Sequence, residues 1–558
     1  MERSIRLALS GLSLLAFAFP APAGAPSVFA DVSPLDGYFA TPPGSDFWAT
    51  AVAAADADGD GDVDLAVVGH YLDYDANTNT DRVVLLRNDG AGAGGHWQFS
   101  STDVFANGEV EAAGCDIAWG DYDGDGDQDL AIAAANGTRL LRNDQGSLTP
   151  LALVLPAYYE DEIFLGIYDL RSMSWADYDN DSDLDLLLPS AWDADTEYFR
   201  TALLRNDGPD GDGNWQFNEV QTTVAPNLET QTTWIDDDGD GDLDLFASGY
   251  DALLAMLRIE RYRNDDGTLV ATDAVFDENL LQGAADVADA DGDGDLDIVV
   301  TATALSSNGQ DYLPALRLYR NAGDGTYANE PIAFGGIDWY DLNSATWADY
   351  DSDGDVDILA TGVGFTENFA LYTRAAIYAN DGSGSFAPLA ESLPAPVPTL
   401  SDAGAYAWFD LDGDGDLDYV VAGGQYVDEP GGPHESRIVL LRNQSVATNA
   451  APTAPVASAI ASATSVQLHW QPASDDHTPS AALTYDVALH LVGTPSPATR
   501  KPELGQVVGA TGFEWRELSA GTYRWEVRAV DAAYVGGPIS SGTVVVGGES
   551  PLFANGFE

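Results

Sequence analysis

A single cysteine, Cys115, stands in a chain of 558 residues, so no intramolecular disulfide can brace the fold. Basic residues are scarce as well: 22 Lys and Arg face 91 Asp and Glu, for a formal charge of −69. Such a field repels phosphate backbones and anionic bilayers, which excludes nucleic acid and membrane surfaces as partners. The six histidines (His70, His96, His434, His469, His477, His490) form no His-Glu-x-x-His pair, and no Gly-x-Ser-x-Gly elbow occurs. The signatures of a zinc protease and of a serine hydrolase are both missing. No apolar run reaches the ~20 residues needed to span a bilayer, so no membrane insertion is expected.

The longest apolar run, residues 7–19, follows Arg3 and Arg6 and ends near Ala21-Pro-Ala23. A short basic region, an apolar core and an A-x-A site read as a signal peptide over 1–23, with cleavage after Ala23 and a secreted, extracellular destination. Cys115 lies too far from this segment to carry a lipid. An exported chain without disulfides needs another brace. Aromatics at 10% and a hydrophobic fraction of 45% are ample for a packed core, so the acid excess does not signal disorder.

The acids are not scattered. A nine-residue motif with aspartate at positions 1, 3, 5, 7 and 9 occurs seven times, at intervals of 53 to 65 residues. Its members are Asp56, Asp58, Asp60, Asp62 and Asp64; Asp121, Asp123, Asp125, Asp127 and Asp129; Asp177, Asp179, Asp181, Asp183 and Asp185; and Asp236, Asp238, Asp240, Asp242 and Asp244. The last three copies are Asp289, Asp291, Asp293, Asp295 and Asp297; Asp349, Asp351, Asp353, Asp355 and Asp357; and Asp410, Asp412, Asp414, Asp416 and Asp418. Positions 1, 3, 5 and 9 aim alternate carboxylates at one point, and position 7 can add its backbone carbonyl. Such a cage of hard oxygens suits Ca²⁺, one ion per copy. Without a cation, five crowded carboxylates would have to protonate or the loop would open. Position 6 must turn sharply; it is glycine in six copies but Ser182 in the third, so the third site is expected to be the weakest. An EF-hand would need glutamate at position 12 and flanking helices. Here position 12 is Val67, inside the apolar strand 65–68.

Around each loop one grammar repeats. A tryptophan stands two places before the first aspartate (Trp119, Trp175, Trp234, Trp347, Trp408), with Ala54 and Val287 as exceptions. The loop feeds an apolar strand such as 65–68 or 130–133, which reads as buried on both faces. A third strand ends in Arg-Asn, except that the stretch from Ala376 to Asn380 lacks the arginine, and a glycine-rich turn leads to a fourth opening on an aromatic: Trp97, Trp215, Tyr327 or Phe386. Four short antiparallel strands per ~60 residues make a propeller blade. Seven blades run from about 49 to 443, and the last lacks a fourth strand after Asn443. Residues 27–32 have strand character and no blade of their own, so they are expected to complete it and remove a free sheet edge.

The pattern W-x-D-x-D-G-D-G-D-x-D-L, followed by L-x-R-N-D-G, resembles the FG-GAP/VCBS-type repeat of integrin α-subunit heads, over residues 27–446. The resemblance implies a seven-bladed β-propeller with Ca²⁺ between the first and second strands of the blades. Carried over to this chain, the ligands are the aspartates at positions 1, 3, 5, 7 and 9 of all seven loops. After a linker at 447–455, residues 456–547 are similar to a fibronectin type III domain. Its strands are expected near 466–470, 483–491, 512–515, 523–530 and 542–546, with Tyr523 as the corner tyrosine. Residues 548–558 form a short tail. The expected fold class is all-β: a seven-bladed β-propeller followed by a fibronectin III-like β-sandwich.

In a four-strand meander the Asp loops and the Arg-Asn turns share one face. The opposite face carries connections of irregular length that are rich in aromatics: Tyr71, Tyr74, Trp192, Tyr198, Phe199, Phe365, Phe369, Tyr372, Tyr158 and Tyr159. Variable loops on a fixed scaffold are where binding sits. The sequence therefore points to a non-enzymatic binding or adhesion module whose ligand is an extracellular protein or polysaccharide. A polysaccharide lyase or hydrolase built on the same propeller is the alternative.

Overall fold

The computed structural model describes residues 29–32, 45–73, 78–92, 97–105, 116–134, 136–153, 155–156, 173–193, 198–225, 228–251, 256–272, 280–305, 312–323, 326–334, 341–365, 371–389, 405–426, 434–445, 449–493, 503–516 and 518–547. The signal segment, Cys115, residues 158–162 and the 548–558 tail lie outside them. Among the described residues every regular element is a strand, and no helix is long and apolar enough to cross a membrane.

Among the described residues seven sheets have four antiparallel strands each. In the first, Ser45–Ala55, Asp64–Asp73, Thr78–Ala91 and Trp97–Asp103 follow one another in sequence and in space. The second strand is the most buried, because it packs against neighbouring sheets on both faces: Leu65, Ala66, Val67 and Val68 are all sealed from solvent. The seventh sheet joins the two ends of the array. Phe29–Asp31 pairs antiparallel with His434–Asn443, Phe29 opposite Asn443 and Asp31 opposite Leu441. Phe29–Asp31 thus supplies the strand that the last repeat lacks.

Each pair of neighbouring sheets has its own apolar core. Val67 and Leu86 of the first sheet pack with Val420 and Leu440 of the last. Ala66 and Leu85 pack with Trp119 and Ile132 of the second, and the series continues between the remaining neighbours. A closed ring of four-stranded sheets, each packed face to face on its neighbours, is a β-propeller.

An asparagine bolts six of the seven junctions. Asn143 donates its side-chain amide to the carbonyl of Ala57 in the preceding loop (2.7 Å), and Asn206 does the same to Tyr122 (2.8 Å). Asn264, Asn380 and Asn443 repeat the bond to Tyr178, Ala290 and Tyr350. The Arg-Asn signature is therefore a stitch between sheets as well as a turn.

Residues 456–547 form two three-stranded sheets. Val456–Ala461, Val466–Gln471 and Gly512–Trp515 make one; Thr484–Leu491, Gly521–Val530 and Ser540–Val546 make the other. Alternating burial of Val466, Leu468 and Trp470 marks the inner face. Tyr523 donates its hydroxyl to the carbonyl of Ser519 (3.0 Å), the geometry expected of a corner tyrosine.

This sandwich packs against the propeller. Thr453 bonds Ser474 (2.9 Å) and Asn449 bonds Asp531 (2.8 Å), so the connecting segment lies along the sandwich. The sandwich itself sits on the Asp-loop face of the propeller. Asp236 and Val507 form a parallel bridge, and Ala176 and Leu243 of the propeller join the sandwich core. A Cβ on Gly354 would meet the His477 carbonyl carbon at 2.2 Å, so the sixth loop approaches the sandwich backbone as closely as glycine permits.

Candidate functional site

In each loop the chain reverses through two residues of positive φ, at positions 4 and 6. The six glycines at position 6 have φ of 92° to 99°, and Ser182 holds the same bend at 79°. The bend wraps backbone donors around the first carboxylate: Asp56 accepts from the N–H of Gly59 (2.8 Å), Asp60 (3.1 Å) and Gly61 (3.0 Å). Asp289 and Asp410 accept the same three bonds in their loops.

Position 9 is buried and ties the loop to the third strand. Asp64 accepts from the N–H of Ala57 at 3.0 Å and of Asn88 at 2.8 Å. The position-2 bond recurs at Asp129, Asp185, Asp297, Asp357 and Asp418. Position 5 turns back on its own loop: Asp60, Asp125, Asp181, Asp240, Asp293, Asp353 and Asp414 accept from the N–H of position 7. Position-7 carboxylates Asp127 and Asp242 accept from Gln145 and Asp266 at the Arg-Asn turn.

The structure thus brings together positions 1, 3 and 9. Oxygens of Asp56, Asp58 and Asp64 lie within 4.8 Å of one another, as do those of Asp121, Asp123 and Asp129, of Asp177, Asp179 and Asp185, and of Asp289, Asp291 and Asp297. In the fourth loop the group is Asp236, Asp238 and Asp240. Positions 5 and 7 stand outside the cluster in the first, second, third and fifth loops.

These groups fit a metal ion. The Oδ1 atoms of Asp58, Asp179, Asp291 and Asp412, all at position 3, are buried with no hydrogen-bond partner. The outer oxygens of Asp58, Asp291 and Asp412 are paired with Arg87, Arg320 and Arg442. An acceptor withdrawn from water without a donor is costly, and a cation among three carboxylates removes that cost. Burial, with crowding by loop neighbours, pushes Asp64 up to about 7, Asp123 to about 7 and Asp129 to about 9. It also raises Asp121 to about 6 and Asp418 to about 8.

The first strands converge around an axial cavity of about 420 Å³. Trp119, Trp175, Trp234 and Trp408 line it, with Asp286 and Tyr406. Trp119 and Trp175 donate their indole N–H to the carbonyls of Ala53 and Ala118 one sheet back (both 3.3 Å), so the rings lie across the junctions. Residues 503–506 and Tyr534 of the sandwich form part of the wall, and Tyr534 donates to the Trp347 carbonyl at 2.7 Å. Asp286 is buried and accepts from the N–H of Val287 and Trp347 and from the Thr346 hydroxyl. Nothing in the repeat pattern singled out Asp286 or the cavity, because the neighbouring repeats carry other residues there.

The aromatic residues expected on the face away from the Asp loops fall partly outside the described residues (Tyr74, Phe369, Tyr158, Tyr159). Backbone register places Trp192 opposite Phe199, and Tyr372 opposite Gly364, at the ends of second-to-third-strand hairpins far from the loops.

A family model for the FG-GAP-like repeat matches residues 121–188, from the second Asp loop through the third. No curated protein matches the chain. Among solved structures, an Agrocybe aegerita lectin that recognises non-reducing terminal N-acetylglucosamine is 17% identical, over 72% of this chain and 91% of its own, with a TM-score of 0.38. The rhamnogalacturonan lyase YesW is 15% identical over 86% of this chain and 80% of its own (TM-score 0.34). The Dos1 propeller is 10% identical over 77% and 90% (TM-score 0.34). Likenesses at this level carry no argument about what this chain binds or does.

Proposed function

We propose that the protein is an exported, Ca²⁺-loaded, seven-bladed propeller over residues 27–446 that carries a fibronectin III-like sandwich over 456–547. It acts as a non-enzymatic binding module for an extracellular polysaccharide or protein. The observation that carries this reading is the seating of the sandwich on the Asp-loop face. With that face engaged by the chain itself, the ligand surface is the opposite end, where the aromatic-bearing hairpins lie. Aromatic faces stack on the C–H faces of sugar rings. The loops serve the scaffold: hard carboxylate oxygens in a flexible cage suit Ca²⁺.

The test is retention of the Ca²⁺-loaded protein on immobilised polysaccharides and matrix proteins, with the supernatant assayed for released sugar. Retention without release, lost on Trp192→Ala with Phe199→Ala, is the expected result. Retention that survives those substitutions would move the ligand elsewhere.

A second reading draws on the axial cavity, which gathers the carboxyls of Asp286 and Glu503 beside a tryptophan wall. Two carboxyl groups in one cavity are the minimum for acid and base chemistry on a glycoside. Sugar release abolished by Asp286→Asn would favour a lyase or hydrolase.

A further inference from the structure

The fourth loop departs from the other six at two linked places. Its position 2 is Asp237, where the others have Ala57, Tyr122, Tyr178, Ala290, Tyr350 and Leu411. Three residues before the junction asparagine stands Arg261, where the others have Leu85, Leu140, Leu203, Leu318, Ile377 and Leu440. The two substitutions meet. The Arg261 guanidinium pairs with Asp237, bonds Oδ2 of Asp244 at 3.2 Å and lies 3.8 Å from Asp238. Asp237 and Asp244 are nearly sealed from solvent, with side-chain exposures of 6% and 0%.

The consequence is a rewired loop. In the six other loops the second oxygen of position 9 accepts from the position-2 N–H. In the fourth, that oxygen takes the arginine. The gathered carboxylates shift accordingly, from positions 1, 3 and 9 to Asp236, Asp238 and Asp240. Arginines also reach position 3 in the first, fifth and seventh loops, but from outside, leaving Oδ1 orphaned. In the fourth loop Oδ1 of Asp238 accepts from the Asp240 N–H at 3.3 Å, as Asp123 does from Asp125 (3.2 Å) in the second, so what sets the fourth loop apart is the arginine on position 9. The fourth loop thus turns an arginine onto its position-9 carboxylate, where the other loops use a backbone donor.

The same loop makes backbone bonds and an ion pair to the sandwich, alongside the close approaches of the fifth and sixth loops. The Asp236 N–H donates to Gln506 (2.9 Å), and Val508 donates back to Asp236 (3.4 Å). Arg516 of the sandwich bonds both oxygens of Asp242 at 3.2 Å and pairs with Asp266. A Cβ on Gly241 would stand 2.9 Å from the Glu514 nitrogen.

We propose that the fourth loop is not a metal site but a docking latch, in which Arg261 and Arg516 supply the positive charge that a cation supplies in the standard loops. One part of the sandwich's seat is then a loop whose shape does not depend on Ca²⁺. This rests on the metal reading of the other loops, and the test separates the two.

The experiment counts Ca²⁺ bound per chain by equilibrium dialysis of the full-length protein after chelation. Asp123→Asn, in a standard loop, is expected to lower the count by one, whereas Asp238→Asn leaves it unchanged. Loss of one ion in Asp238→Asn overturns the latch while leaving the metal reading intact. No loss in either variant removes the contrast and the metal reading together. In a second arm, Arg261→Leu is expected to lower the melting temperature in chelator and to recover in Ca²⁺ more than the parent does, because the loop regains a cation's place. Equal calcium responses of variant and parent count against the latch.

Discussion

Asn88 donates its side-chain amide to the backbone carbonyl of Leu411, 323 residues further along the chain, at 3.2 Å. It is the junction bond between the first and last sheets, identical in kind to the one Asn143 makes to Ala57. The ring is therefore closed twice: by this stitch on the loop face and by Phe29–Asp31 in the last sheet. Asn88→Ala is expected to cost about 1–3 kcal/mol, the range for stranding a buried hydrogen-bond partner. Asn143→Ala should cost the same if closure is an ordinary junction. Phe29 is buried against Trp408, with ring centroids 6.2 Å apart, and Phe29→Ala is expected to cost about 3–5 kcal/mol. Denaturant melts of the three variants check both figures, and limited proteolysis near residue 29 reports whether the closing strand has come away.

Acidity should act on the metal-free protein in an unusual direction. The cage carboxylates Asp64, Asp123, Asp129 and Asp418 have folded-state pKa values of about 7, 7, 9 and 8, against about 3.9 for an unperturbed aspartate. A carboxylate raised in the folded state stabilises below its unfolded pKa and loses that contribution as pH rises through the folded value. In chelator, stability is therefore expected to fall from about pH 5 to pH 9. With Ca²⁺ present the ionised form is the one the fold uses, and the decline should vanish. Melting temperatures at pH 5 and pH 9, with and without chelator, decide this; parallel curves would contradict the cage.

The third loop carries strain that one substitution can release. Ser182 sits at φ 79° with its hydroxyl buried and unbonded, where the other loops place glycine. A left-handed non-glycine residue costs about 1–2 kcal/mol, offset in part by the added freedom that glycine gives the unfolded chain. Ser182→Gly is expected to stabilise the protein by about 1 kcal/mol, read from a denaturant melt in Ca²⁺. Despite the strain, Asp177, Asp179 and Asp185 still come together.

Arg516→Ala should loosen the sandwich without unfolding either part. Asp242, at 2% side-chain exposure, keeps its bonds from Asn180 and the Asp266 N–H, so the loss is expected at about 1–3 kcal/mol. Calorimetry should show the sandwich transition separating from that of the propeller. A single unshifted transition would mean that Arg516 contributes nothing to docking.

The scaffold was legible because one constraint is written seven times. Alternating aspartates, the tryptophan two places earlier and the Arg-Asn ending fixed strand order, the loop face and the need for a closing strand at 27–32. The docking of the sandwich was not legible. Several of its contacts are made by the backbone of Asp236 and Val507 and by glycines such as Gly241, which six of the seven copies carry for their turn anyway. Alternation pointed the carboxylates of positions 1, 3, 5 and 9 at one place with the position-7 carbonyl beside them, and the structure gathers positions 1, 3 and 9 in four of the loops. The Asp237 and Arg261 pair did leave a signal, as a charge at position 2 matched by a charge in an apolar column. Reading the repeats against one another reveals it; reading each against the consensus does not.

The closing strand also sets how the ring responds to force. Phe29 lies opposite Asn443, so the first residue of one strand and the last of the other stand side by side. Tension pulling the chain outward at these two points loads the pair one rung at a time, as a zip, rather than all rungs together. The ring therefore parts at this short seam before any junction of full-length strands bears the strain. What chemistry makes seamless, mechanics turns into a clasp.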